Sequence, residues 1–231
     1  MAIAAKAPLP GRVKTRLLPD LTPEEAAALY TCFLRDTLEV AESVPGIDIV
    51  VSYWPLTAKA QIREVLGDRH RMVAQRGSDL GERIRYILED LLGAGYHAAC
   101  VLGSDSPNLP GEYLEAAFEA LDRSGDRVAL GPASDGGYYL IGAKTSHPAL
   151  FKGIGWSGPL VFEQTIQRAH ELQIEVSLLP EWYDVDTVDD LERLMSDLNL
   201  AGSTPEIGLH PGARNTRQYL IARRRRSTGI Y

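Results

Sequence analysis

A chain of 231 residues with 45% hydrophobic content can bury one sizeable core, and a second full-sized domain would be tight. Its formal charge of −7 at neutral pH disfavours a nucleic-acid binder. No apolar run approaches the roughly 18 residues a membrane span needs, and Met1-Ala-Ile-Ala-Ala is too short for a signal-peptide core, so a cytoplasmic protein without a membrane partner is expected.

After a short apolar start, the segment Lys6-Ala-Pro-Leu-Pro-Gly11-Arg12-Val-Lys14-Thr-Arg16-Leu17 carries four cations and no acid. A basic loop in an acidic protein points to a small anionic ligand. Thr22-Pro-Glu-Glu25 is a capping-box pattern with proline at the first helical position, and apolar residues at helical spacing predict a long helix over 26–44. A strand over 47–53, a short helix over 58–66 and a weak strand over 71–74 follow. Gln75-Arg-Gly77-Ser-Asp79-Leu-Gly81-Glu-Arg83 is a glycine-punctuated loop leading into a helix through Leu92.

Residues 97–103 predict a central strand, 110–121 a helix opened by proline, and 127–130 a strand. Gly131-Pro-Ala-Ser-Asp135-Gly136-Gly137 is a turn cluster that feeds a strand over 138–143. Helix 160–172, strand 174–179 and helix 187–198, the last with a box-like cap from Thr187 and Asp190, complete the pattern. Strands alternating with helices imply an α/β protein, a three-layer α/β/α Rossmannoid with a mostly parallel sheet. The link from 131 to 137 is too short for a parallel crossover, which predicts one antiparallel strand.

The two cysteines, Cys32 and Cys100, lie far apart within a helical and a strand pattern. They read as small buried hydrophobes rather than a disulfide framework or a zinc site. From Ala201 the composition turns to Gly, Ser, Pro and Asn and ends in Arg223-Arg-Arg-Arg226, with the single acid Glu206 against six arginines. We expect a domain over 1–200 and a basic, partly disordered tail over 201–231 outside the catalytic unit. Docking of the tail on an acidic patch of a neighbouring subunit is the alternative, so a homo-oligomer is open.

The chemistry lies between these elements. Asp105, in Val101-Leu-Gly-Ser104-Asp105-Ser-Pro107, falls at the carboxyl end of the central strand, where open α/β sheets bind ligands. It is placed either to hold a divalent metal against a phosphate or merely to cap the next helix. Tyr183-Asp184-Val-Asp186-Thr187 offers carboxylates in a similar strand-to-helix setting, and two such sites can share one ion. Asp135-Gly136-Gly137 is equally a hairpin turn or a substrate floor, and Trp156 either stacks on a ligand or lids the core.

Five segments in this order, Lys6 to Leu17, Asp79-Leu-Gly-Glu-Arg83, Gly103-Ser-Asp-Ser-Pro107, Gly131-Pro-Ala-Ser-Asp-Gly-Gly-Tyr-Tyr-Leu-Ile-Gly142 and Asp184-Val-Asp-Thr187, resemble the nucleotide-diphospho-sugar transferase superfamily with its GT-A-like fold. Within it the chain is most similar to the radical-SAM/selenodomain-associated transferase 1 family of glycosyltransferases. The resemblance implies a magnesium- or manganese-dependent transferase that uses a nucleotide-sugar or nucleoside triphosphate and a small-molecule acceptor. It places the metal on Asp105 and Asp186, with Asp184 as the alternative second ligand. Lys14 and Arg16 would stabilise the leaving phosphates, with Lys6, Gly11, Arg12 and Ser104 around the nucleotide and Gln75 and Gly77 along the base. Asp135, as contact or base, would meet the acceptor together with Gly136, Gly137 and Trp156. Lys14-Thr-Arg16-Leu also resembles the loop of phospholactate guanylyltransferases, which favours nucleotidyl transfer with pyrophosphate release; the usual family description favours glycosyl transfer. A non-catalytic nucleotide-binding regulatory module is the rival from another class.

Overall fold

The computed structural model describes residues 1–156, 158–200 and 212–228. Strands β1 (Ala2–Lys6), β2 (Val50–Trp54), β3 (Arg71–Ala74), β4 (Ala99–Leu102), β5 (Arg127–Pro132), β6 (Tyr138–Ala143) and β7 (Glu175–Leu178) form one sheet in the order β3-β2-β1-β4-β6-β5-β7. All run parallel except β6, which is antiparallel to both neighbours, β4 and β5. The brevity of the 131–137 link is the physical reason for that reversal.

Helices α1 (Pro23–Ser43), α2 (Lys59–Leu66) and α4 (Gly111–Asp122) cover one face of the sheet, and α3 (Leu80–Gly93) and α5 (Val161–Glu171) cover the other. Strand periodicity divides the two cores. Ile3 and Ala5 of β1, and Cys100 and Leu102 of β4, join the α1 side, whereas Ala2, Ala99 and Val101 join the α3 side. The small residues of β1 suit a central strand covered on both faces. Both cysteines are free and buried. Among the described residues no helix is long and apolar enough to cross a membrane.

The capping box forms as its residues dictate: Glu25 N–H donates to Thr22 Oγ1 at 3.2 Å, and Thr22 N–H donates to Glu25 Oε2 at 3.0 Å. Thr22→Ala removes one acceptor from the exposed N-terminal amides of α1. The expected loss is about 1 kcal/mol, measured by urea denaturation. Thr187 closes the second box on α6 (Val188–Asp197).

The C-terminal segment departs from expectation. Residues 214–228 form a helix, α7 (Arg214–Thr228), packed along α1 instead of a detached tail. Composition misleads here because six arginines mask a short buried row, Ala213, Thr216 and Leu220, each no more than 5% exposed. The helix is anchored from outside its own sequence: buried Asp36 of α1 accepts from the backbone N–H groups of Asn215 and Thr216, each at 2.8 Å, and so satisfies amides at the N-terminus of α7. The expected tail residues 201–211 and 229–231 lie outside the described residues.

Candidate active site

A cleft of about 920 Å³ opens at the carboxyl ends of β1 to β4. It receives Lys6 from the end of β1, Trp54 from β2, Gln75 after β3, and Ser104 and Asp105 after β4. Reversed β6 contributes Tyr138 from its first residue. Ligands bind at this edge in open α/β sheets because the strand-to-helix connections converge there.

Two acidic segments 80 residues apart meet in the cleft through the main chain, where Val185 N–H donates to the Asp105 carbonyl at 2.8 Å. That bond sets Asp186 beside Asp105. Between them lies Lys14: its Nζ pairs with Asp105 and donates to Asp186 Oδ1 at 2.9 Å. Lys14 follows the turn at Gly11 and takes a left-handed backbone conformation (φ 46°, ψ 40°), rare for a residue with a Cβ. Its side chain is only 3% exposed and borders the Tyr30 and Phe33 rings, whose centroids are 5.8 and 5.4 Å away. Burial opposes the ammonium charge, but the Asp105 and Asp186 carboxylates outweigh it and hold the lysine pKa above its ordinary value.

Lys14 therefore lines the cleft with its ammonium engaged by the two carboxylates, and Lys6 and Arg16 border the same cleft. Arg16 is 66% exposed, and its Nη1 is 4.0 Å from Asp186 Oδ2. Gly11 and Arg12 lie on the exposed turn before Lys14. Asp184 also lines the cleft, where it accepts from Ser106 Oγ at 2.6 Å. Burial, then the neighbouring Asp105 carboxylate, push its pKa up to about 7.

Ser104 is buried and knits the site together. It donates to the Ala4 carbonyl at 2.9 Å and, having a single hydroxyl proton, accepts at 2.8 Å from Tyr30, whose own oxygen accepts from Lys6 N–H. Gln75 is buried, borders the cleft and donates its amide N–H to the Ser52 carbonyl at 2.7 Å. Gly77 (φ 125°) sits over the start of α3, where a Cβ would come 2.7 Å from that of Glu82.

On the opposite wall, Asp135 Oδ1 accepts from Gly137 N–H at 2.9 Å and both residues border the cleft. Gly136 turns away, so close to Pro159 that an added Cβ would lie 1.8 Å from its carbonyl oxygen. Trp156 borders the cleft and also packs into the wall, stacked on Phe151 at 6.2 Å and edge-on to Tyr138 at 6.4 Å. Gly81 makes that seat possible, because a Cβ there would fall 1.9 Å from the indole.

The sequence pattern gives no role to Tyr30, Trp54 or Arg83. The Arg83 guanidinium lies 3.9 Å over the Trp54 ring and both border the cleft. Arg83 was visible as the end of the Asp79-Leu-Gly-Glu-Arg83 segment, whereas Tyr30 carries no signal beyond the apolar face of α1.

Residues 37–158 match the DUF2064 family, described as "Uncharacterized protein conserved in bacteria". The chain belongs to that family. A phosphoenolpyruvate guanylyltransferase of Nocardia farcinica is 30% identical, with 84% of each chain covered. The crystal structure of a proposed nucleotide-diphospho-sugar transferase from Desulfovibrio desulfuricans G20 is 33% identical and superposes with a TM-score of 0.83 over 98% of this chain and 95% of that one. A Mycobacterium tuberculosis H37Rv protein solved in complex with manganese shares the fold at 18% identity, with a TM-score of 0.52 over 84% of this chain and 97% of that one. The fold is that of nucleotide-diphospho-sugar transferases, and the protein is a transferase.

Proposed function

We propose that this family member transfers a nucleotidyl group from a nucleoside triphosphate to a small anionic acceptor and releases pyrophosphate. The observation that carries the reading is the pair Asp105 and Asp186, which together hold the Lys14 ammonium in the same cleft that Lys6 and Arg16 border. The 30% identical guanylyltransferase supports nucleotidyl over glycosyl transfer.

The donor set fits a hard divalent ion. Both carboxylates are oxygen donors, stay about two-fifths exposed toward the cleft, and already bind a positive charge between them. Among the described residues no cluster of three metal-ligating side chains occurs, so phosphate oxygens and water would complete the coordination. A bound magnesium or manganese ion would supply charge neutralisation and Lewis acidity at the phosphates.

An acceptor phosphate or carboxylate oxygen forms the new bond to the α-phosphorus, and the bond to the β-phosphate bridging oxygen breaks with its electron pair leaving on pyrophosphate. Lys6 and Arg16 bind the β- and γ-phosphates and stabilise the charge that develops there. Lys14 keeps the two carboxylates oriented and positively compensated before substrate arrives. Trp54, Gln75 and Arg83 form the base corner. The acceptor oxygen of Gln75 reads an N–H edge, and the Arg83 fork reads paired acceptors such as guanine O6 and N7. Asp135, Gly137 and Trp156 border the acceptor end.

Pyrophosphate release tests the reaction. Incubation with each of the four ribonucleoside triphosphates, magnesium and phosphoenolpyruvate is expected to give acceptor-dependent pyrophosphate, fastest with GTP. The 33% identical D. desulfuricans protein motivates the second reading, glycosyl transfer from a nucleotide-sugar; release of nucleoside diphosphate from a nucleotide-sugar, with no pyrophosphate from any triphosphate, selects that reading instead.

A further inference from the structure

Arg223, in the C-terminal half of α7, reaches the turn that follows the loop carrying Lys14 and Arg16. Arg223 Nη2 donates to the Asp20 carbonyl at 2.8 Å, and Arg223 Nε donates to Glu25 Oε1 at 3.0 Å. One turn earlier, Tyr219 donates its hydroxyl to the Glu25 carbonyl at 3.0 Å. Glu25 is the same carboxylate that closes the α1 capping box with its other oxygen. Asp20 in turn belongs to the turn that follows Arg16: its N–H donates to the Leu17 carbonyl at 3.0 Å, and Leu17 N–H donates to the Lys14 carbonyl at 3.0 Å.

A continuous hydrogen-bonded path thus runs from Arg223 through Asp20 and Leu17 to Lys14. A planar guanidinium with several fixed donors is suited to hold a main-chain carbonyl and a carboxylate at once, which a single ammonium does less well. Besides the Lys14 side-chain pairs with Asp105 and Asp186, the loop has little regular structure to hold it, since Lys14 sits in left-handed backbone geometry and residues 6–16 contain no helix or strand beyond the last residue of β1 and the first two of the 3₁₀ turn Thr15–Leu17.

We infer that Arg223 is a positioning residue for nucleotide binding: through Asp20 and Glu25 it holds the Lys14–Arg16 loop in its phosphate-binding shape, which makes α7 part of the active-site framework. The inference rests on the loop's assignment to the triphosphate in the proposed function. The far end of α7 provides the control, because Asp36 anchors the helix N-terminus without touching the loop.

The test uses the full chain and three variants, Arg223→Met, Arg223→Lys and Asp36→Asn. Triphosphate and nucleoside binding are measured by calorimetry in magnesium buffer, and hydrogen exchange is followed at the Leu17 and Asp20 amides without nucleotide. Arg223→Met is expected to speed loop exchange at least tenfold and to weaken triphosphate binding about tenfold, leaving nucleoside binding unchanged. Arg223→Lys restores part of both effects, and Asp36→Asn lowers thermal stability with near-wild-type loop exchange. Wild-type exchange in Arg223→Met, or losses in Asp36→Asn that match it in both readouts, would overturn the inference. Should the wild-type protein bind no triphosphate, the proposed function fails; the exchange data then still decide whether Arg223 holds the loop, and unchanged exchange rejects it.

Discussion

Asp105→Ala is expected to lower nucleotidyl transfer by at least a factor of about 10³, roughly 4 kcal/mol of transition-state stabilisation. The substitution leaves the proposed metal with Asp186 alone, and a hard dication held by one protein carboxylate loses both charge compensation and a ligand. The fold should tolerate the change, since Asp105 is about two-fifths exposed and Lys14 keeps its 2.9 Å bond to Asp186. A melting temperature within a few degrees of wild type, together with loss of pyrophosphate release, is the predicted combination. A variant that retains a tenth of wild-type turnover at saturating magnesium removes Asp105 from the site. Asp184→Asn is expected to be milder, because Asp184 is already committed to Ser106 rather than to the cation between Asp105 and Asp186.

Most of the sheet was legible because its strands are short apolar runs bounded by turn residues. β3 and β6 fall on their expected residues, and the single antiparallel strand follows from the length of one connection. The convergence of Asp105 with the Asp184–Asp186 segment was legible only as similar positions after two strands. The Val185 to Asp105 main-chain bond that joins them is a tertiary contact across 80 residues.

Lys14 shows where pattern reading stops. An acid-free loop gives no sign of carboxylate partners, yet Lys14, in left-handed backbone geometry, pairs within the cleft with two carboxylates that lie far away in sequence. Gly136 is a similar case, since its requirement comes from the Pro159 carbonyl and not from the substrate side. Arg83 and Trp54 belong to different elements, and nothing in either local pattern indicates that they stack.

Removing residues 212–231 is expected to destabilise the protein by several kcal/mol, the reverse of what a detached tail implies. Deletion exposes the α1 surface covered by Ala213, Leu220 and the partly buried Tyr219 and Ile221. Burial of a large apolar side chain contributes about 1.5–3 kcal/mol, and the entropy of ordering fifteen helical residues offsets part of the sum. Truncation also removes the Asn215 and Thr216 donors from Asp36, whose pKa burial raises and those donors hold down. For a chain of this size each kcal/mol lowers the melting temperature by about 2–4 °C, so a net loss of about 2–4 kcal/mol, the burial of one or two large apolar side chains, corresponds to a drop of about 4–16 °C. Thermal denaturation of the chain ending at Leu200 or at Pro211 checks this. A melting temperature unchanged within 2 °C would mean that α7 rests on α1 without stabilising it.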